Sequence, residues 1–180
     1  MLCYEYTYFK RYHQNNKGRD KMDEIEKFYT VRGYQLLDQK RKLLTSAMED
    51  YLEMIYRYSH VDGYIRINIL SDLLNVTAPS ATKMVQKLTK LGFLDYKRYG
   101  IIFLTENGKE IGSYLLKRHN IIEIFLKNFC DKEDLLLETE LIEHVITITT
   151  LQRFFDFNRF LDQNPDILEK FEQFSLTQVT

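Results

Sequence analysis

The chain has 180 residues, 44% of them hydrophobic, with 25 basic and 26 acidic side chains and a net charge of −1. That is room for one or two small domains around a real core, and it excludes global disorder and a globally basic nucleic-acid coat. No apolar run approaches the roughly 18 residues of a membrane span, no signal-peptide pattern opens the chain, and Cys3 and Cys130 form neither a disulfide framework nor a CxxC site, so a cytoplasmic protein with no membrane partner is expected.

Residues 1–44 read as an N-terminal extension. Tyr4, Tyr6, Tyr8, Phe9 and Tyr12 crowd ahead of Lys17, Arg19 and Lys21, and no amphipathic period holds before Met22. Lys17-Gly18-Arg19 can be encoded by a purine-rich, ribosome-site-like stretch, which makes Met22 a candidate native start. An N-terminal arm is the other reading, and intact mass from the native cell separates them. Residues 24–44 can add a short helix.

Residues 45–105 follow a different pattern. Thr45 or Ser46 can N-cap a helix, and Ser46 with Glu49 has capping-box spacing. Met48, Tyr51, Leu52, Ile55 and Tyr56 then recur at helical spacing, with Asp50, Glu53 and Arg57 on the opposite face, up to a turn at Asp62-Gly63. Tyr64–Ile67 is a strand candidate. A second helix over 69–75 buries Leu70, Leu73 and Leu74. A third starts at Thr77-Ala78-Pro79, with Pro79 at the first helical position. It buries Met84, Val85, Leu88 and Leu91 and stops at Gly92. Phe93–Lys97 and Ile101–Thr105 read as a hairpin around Arg98-Tyr99-Gly100. Helix, strand, helix, tight turn, helix, hairpin is the winged helix-turn-helix plan.

Residues 106–180 read as all-helical. Thr105 caps a long helix to about Phe129, with Ile111, Leu115, Ile122, Leu126 and Phe129 as its stripe. A fifth helix spans 131–148 through Leu137, Leu141, Val145 and Ile148. Two shorter helices follow over 151–161 and 166–174, separated by Asn164-Pro165. The fold class expected is mainly α: a winged helix-turn-helix DNA-binding domain plus an all-α domain.

The third helix offers Ser80, Thr82, Lys83, Gln86, Lys87 and Lys90 outside its apolar face. Lys and Gln can contact base edges, while Ser, Thr and Lys can contact phosphates. Lys97 and Arg98 add charge at the hairpin tip. Between Ser80 and Tyr99 there are five basic residues against one acidic, a local footprint in a nearly neutral chain. The bland counterpart is a lysine-rich solvated helix face.

Glu140-Leu141-Ile142-Glu143-His144 places three O and N donors at i, i+3 and i+4, on one helical face. Asp50 and Glu53 repeat the i, i+3 spacing on the first helix, and His119 borders the long helix's apolar stripe. Carboxylate-rich sets with one or two histidines suit hard or borderline ions such as Mn²⁺ and Fe²⁺. Each pair alone also fits a solvated acidic face, and His119 alone fits a packed core histidine. His60 reads as surface, and His13 gets no role.

Met48-Glu49-Asp50-Tyr51-Leu52-Glu53, Thr82-Lys83-Met84-Val85-Gln86-Lys87-Leu88, Arg118-His119 and Glu140–His144 together resemble the DtxR/MntR family of metal-dependent repressors, over residues 46–175. Within that family the chain looks most like the manganese branch. The resemblance implies a homodimer on a double-stranded DNA operator, no enzymatic activity and no small-molecule substrate, with helical residues 106–180 binding metal and dimerising. It implies a binuclear site on Asp50, Glu53, His119, Glu140, Glu143 and His144. Iron-sensing relatives place Met and Cys where this chain has Asp50 and Glu140, so hard ligands point to Mn²⁺ as cofactor, with Fe²⁺ or another divalent transition metal as the alternative. The tail after His144 is too short for the SH3-like third domain of longer relatives.

Two other classes compete. A di-metal carboxylate enzyme would use Glu-x-x-His motifs on two helices, a form missing from these helices, and oxygen consumption would reveal it. A metal-independent winged-helix regulator would keep its DNA affinity under chelation.

Overall fold

The structure, a computed structural model, describes residues 42–59, 62–130 and 132–178. The expectations for residues 1–41, for Met22 and the bulk of the 24–44 helix, and for Cys3, His13 and His60 lie outside the described residues.

Helix α1 spans Ser46–Ser59. Its first turn hangs on Thr45, whose carbonyl accepts from the Met48 and Glu49 amides at 2.8 and 3.0 Å. The expected capping box is not how Glu49 is used: its carboxylate turns inward, buried, onto Arg118 and His144. Charge–charge attraction inside the protein outweighs a cap that water could replace. Tyr51, Leu52 and Ile55 are buried as their spacing predicts, and Glu53 is buried with them.

Strand β1 is short, Ile65–Arg66, because Ile67 already opens α2 (Ile67–Leu73). Helix α3 runs Ala78–Lys90 with Thr77 as its N-cap residue, so Pro79 is its second residue rather than its first. Either place suits a residue without an N–H. Ala81, Val85 and Leu88 are buried, whereas Leu91 past the helix end is exposed. Gly92, at φ +81°, reverses the chain. Strands β2 (Leu94–Lys97) and β3 (Ile101–Leu104) pair antiparallel, and β1 joins the other edge of β3, giving the order β1-β3-β2. Ile102 sits opposite both Ile65 and Tyr96. A short 3₁₀ turn at Arg98–Gly100 closes the hairpin, with Tyr99 in the left-handed region at φ 64°.

Thr105 caps α4 (Glu106–Leu126), its Oγ1 accepting from the Gly108 amide at 3.1 Å. Helices α5 (Leu135–Glu143), α6 (Ile148–Gln163) and α7 (Pro165–Gln178) follow. Helix α4 is the central strut: α1 packs on it, as do α5 and α6. Phe125 of α4 stacks on Phe154 of α6 at 3.8 Å, and Phe129 meets Phe171 of α7 edge-on. No helix among the described residues is long and apolar enough to cross a membrane.

The fifth helix corrects two expectations. It ends at Glu143, leaving His144 as its C-cap residue rather than an interior one. Its stripe of Leu137, Leu141 and Val145 faces out, at 57%, 61% and 77% exposure, while the polar Thr139 and Glu143 face in. Glu143 finds its buried partners on α4, in His119 and Arg118, which leaves the apolar side of the helix for another surface.

Gly112 of α4 lies tight against α1: an added Cβ would lie 2.6 Å from Tyr56 Cβ. We expect Gly112→Val to force them apart and cost about 1–3 kcal/mol, since valine's better helix propensity returns only a few tenths. A thermal melt equal to wild type would show that the helices have room to spare.

Candidate metal centre and DNA-reading face

Three helices meet at the acidic pocket. Asp50 and Glu53 come from α1, His119 from the middle of α4, and Glu143 and His144 from the end of α5. Their donor atoms form two groups. Asp50, Glu143 and His144 make an outer one, and Glu53, His119 and Glu143 a buried inner one, each with its donor atoms within 4.8 Å of one another. Glu143 belongs to both.

The distances give the detail. His119 Nδ1 lies 2.9 Å from Glu143 Oε2 and 3.9 Å from Glu53 Oε1. His144 Nε2 lies 3.0 Å from Asp50 Oδ1 and 3.8 Å from Glu143 Oε1. Arg57, one turn along α1, donates from Nε to Glu53 Oε1 at 3.0 Å. Glu140 is exposed on α5 and joins neither group, so five of the six residues selected from the sequence are gathered here.

The titration of Asp50 is shaped by its partial burial and by its charged neighbours. Partial burial raises its pKa above the ordinary value; His144 lowers it, and Glu143, Glu53 and Glu49 raise it again. A raised folded-state pKa means that stability is lost as pH rises through it. A bound cation would offset the repulsion that Glu143, Glu53 and Glu49 add at Asp50.

Residue spacing does not reveal Glu49 and Arg118 as part of this pocket. Arg118 is fully buried on α4, and its Nη1 donates to Glu49 Oε2 at 2.8 Å, while its Nη2 lies 3.8 Å from Glu143 Oε1. The same Glu49 oxygen lies 3.0 Å from His144 Nδ1. The one sequence signal is the heavy charge around His119: an arginine inside an apolar stripe needs a buried anion.

The donor set fits a divalent cation. It is entirely oxygen and nitrogen, and one carboxylate common to two groups is what a pair of bridged ions needs. Asp50 and Glu53 would hold it from α1, His119 from α4, and Glu143 with His144 from α5.

Lys83, Gln86, Lys87 and Lys90 are exposed on α3. The hydroxyls have partners inside the protein. Thr82 Oγ1 donates to the Ala78 carbonyl at 2.8 Å, and the Ser80 side chain hydrogen-bonds Tyr51. At the hairpin, Lys97 is exposed and pairs with Asp95 at 2.7 Å; Arg98 is exposed beside it.

Two family models match consecutive stretches of the chain. Residues 43–101 match the iron dependent repressor N-terminal DNA binding domain. Residues 105–172 match the iron dependent repressor metal binding and dimerisation domain. The HTH-type transcriptional regulator MntR of Lysinibacillus sphaericus is 38% identical over 129 residues, which is 71% of this chain and 93% of the relative. That of Bacillus pumilus is 37% identical over 125 residues, 69% of this chain and 87% of the relative. Among solved structures, the manganese regulator SloR matches at TM-score 0.57 and 28% identity, over 65% of this chain and 55% of SloR. T. acidophilum IdeR matches at TM-score 0.54 and 29% identity, over 62% of this chain and 53% of its own.

Proposed function

Because this chain belongs to the DtxR family of iron-dependent repressors, a non-enzymatic family of metal-dependent transcriptional regulators with a DNA operator and a dimerisation domain, we propose that it is a manganese-responsive repressor of manganese-uptake genes. The observation that carries this reading is the shared carboxylate. Glu143 links a group reaching to Asp50 with a group reaching to Glu53, and both of those residues stand on α1.

A divalent cation bound there supplies positive charge that offsets repulsion among the carboxylates. The chain's own residues carry that effect to the DNA-reading face. Asp50 and Glu53 sit on α1, which packs against the reading helix α3 as well as against α4. Drawing them toward Glu143, His119 and His144 fixes the reading head on the helical domain. In a homodimer this sets the spacing of two α3 helices for two half-sites. Metal and DNA binding are then reciprocal, with a coupling of typically about 1–3 kcal/mol. Glu140, one turn before Glu143, is the carboxylate we propose completes the set on loading. The outward Leu137, Leu141 and Val145 are the apolar surface we propose a second copy covers. The likeness to the manganese regulator SloR supports manganese over iron, as do the carboxylates at Asp50 and Glu140. On the DNA side the proposed contacts are Ser80, Thr82, Lys83, Gln86, Lys87, Lys97 and Arg98.

The test is fluorescence anisotropy on promoter DNA from the native manganese-uptake genes, at fixed salt, with chelator, Mn²⁺ or Fe²⁺. Mn²⁺ should tighten binding about tenfold or more, about 1.4 kcal/mol. A larger response to Fe²⁺ would make this an iron sensor, and equal affinity under chelator would remove metal control. In the same assay Lys83→Ala should weaken binding to every sequence and reduce the salt slope by about 1. Gln86→Ala should narrow the gap between cognate and altered sites. Uniform losses for Gln86→Ala would make it a backbone contact instead.

A further inference from the structure

We propose that Glu49 is a positioning residue for His144, holding the imidazole so that Nε2 and not Nδ1 faces the metal position. This role rests on the manganese reading of the same site. His144 caps the end of α5, and its side chain keeps 19% exposure, so the packing of a regular helix does not fix its ring. Its two nitrogens meet different groups. Nε2 faces Asp50 at 3.0 Å and Glu143 at 3.8 Å, whereas Nδ1 faces Glu49 at 3.0 Å.

An ionised carboxylate can only accept, so the Nδ1 contact is made by Nδ1–H donating to Glu49. With Nδ1–H held on Glu49, Nε2, which faces Asp50 in the outer donor group, is the nitrogen that would give up its proton and turn its lone pair to a bound cation. Glu49 belongs to neither donor group, so its place is behind the histidine rather than on the ion. It is itself anchored: Arg118, buried on α4, donates to the same Oε2 at 2.8 Å. The line Arg118, Glu49, His144 therefore ties α4, α1 and the end of α5 into one oriented donor.

The test is Mn²⁺ binding to the full chain, read from the electron paramagnetic resonance of free Mn²⁺, for wild type, Glu49→Gln and Glu49→Ala. Glutamine keeps an oxygen that can accept from Nδ1–H; alanine does not. Glu49→Ala should bind Mn²⁺ about 10–100-fold more weakly, the range seen when partners behind metal-binding histidines are removed. Glu49→Gln should recover part of that loss. A second readout is the His144 Nδ1 proton in protein loaded with diamagnetic Cd²⁺: slow to exchange with water in wild type, fast in Glu49→Ala. Equal Mn²⁺ affinity in all three proteins, with only a lower melting temperature for the variants, would reduce Glu49 to a clamp for Arg118 and overturn the inference. Should Glu49→Ala fail to fold, the Cd²⁺-loaded wild type decides, since a rapidly exchanging Nδ1 proton overturns the inference there too. Wild type that binds no Mn²⁺ overturns the manganese reading itself, a separate and recognisable failure.

Discussion

Replacing Glu143 and His144 together by alanine should abolish the Mn²⁺-dependent gain in DNA affinity while leaving a folded dimer. Glu143 is the one side chain common to both donor groups, so its loss removes an oxygen from each. His144 supplies the only imidazole of the outer group. After both changes the outer group keeps Asp50 alone, and the inner group keeps Glu53 and His119. Neither remainder holds a divalent ion against water at micromolar concentration, because such sites need several converging donors. The fold should survive. His144 lies at a helix end, and Glu143 is one of two carboxylates facing Arg118, which keeps its shorter bond to Glu49. Anisotropy with and without Mn²⁺ measures the response, and far-ultraviolet circular dichroism checks the fold. A double variant that still tightens tenfold in Mn²⁺ would remove these residues from the site.

Arg118→Ala should be the most destabilising change near the site, by about 3–5 kcal/mol, the range for a buried ion pair that loses one partner. The arginine has no exposed side-chain surface, and Glu49 has 5%. Removing the guanidinium leaves Glu49 and Glu143 as buried anions, with Asp50 and Glu53 nearby. Exposed pairs are a useful control. Lys109 and Glu106 approach to 2.7 Å, yet are 55% and 87% exposed, so losing that pair should cost under about 1 kcal/mol. Mn²⁺ should raise both melting temperatures by mass action and narrow the gap between Arg118→Ala and wild type, because the bound cation would offset the Glu143 charge that Arg118 no longer meets. Thermal melts with chelator and with Mn²⁺ read both effects. A variant that melts with wild type under chelator would mean that the two carboxylates are neutral without it.

Much of the architecture is legible from local pattern. Tyr51, Leu52 and Ile55 at helical spacing, Gly92 after α3, the hairpin around Arg98-Tyr99-Gly100 and the Thr105 cap are short-range signals, and the described elements follow them within a few residues. The fifth helix is shorter than its pattern predicts because an apolar repeat at Leu137, Leu141 and Val145 does not state which surface covers it. Those residues point outward in the single chain, and the helix stops once Glu143 has reached its buried partners. Local spacing pairs Glu49 with Ser46, three residues before it, as a cap. The folded chain uses it against Arg118, 69 residues away, and His144, 95 residues away.

Helix, strand and turn formers, and the oxygen and nitrogen donors, are readable along the chain. The sequence also carries the motifs by which the family resemblance is recognised. Periodicity and capping act over a few residues, and ligand chemistry belongs to the side chain itself. Folding alone puts Glu143 in two donor groups, Glu49 against His144 Nδ1 and a buried arginine against the acidic cluster. Those facts depend on which faces of α1, α4 and α5 meet, and helix spacing places a residue on a face without saying what that face will touch.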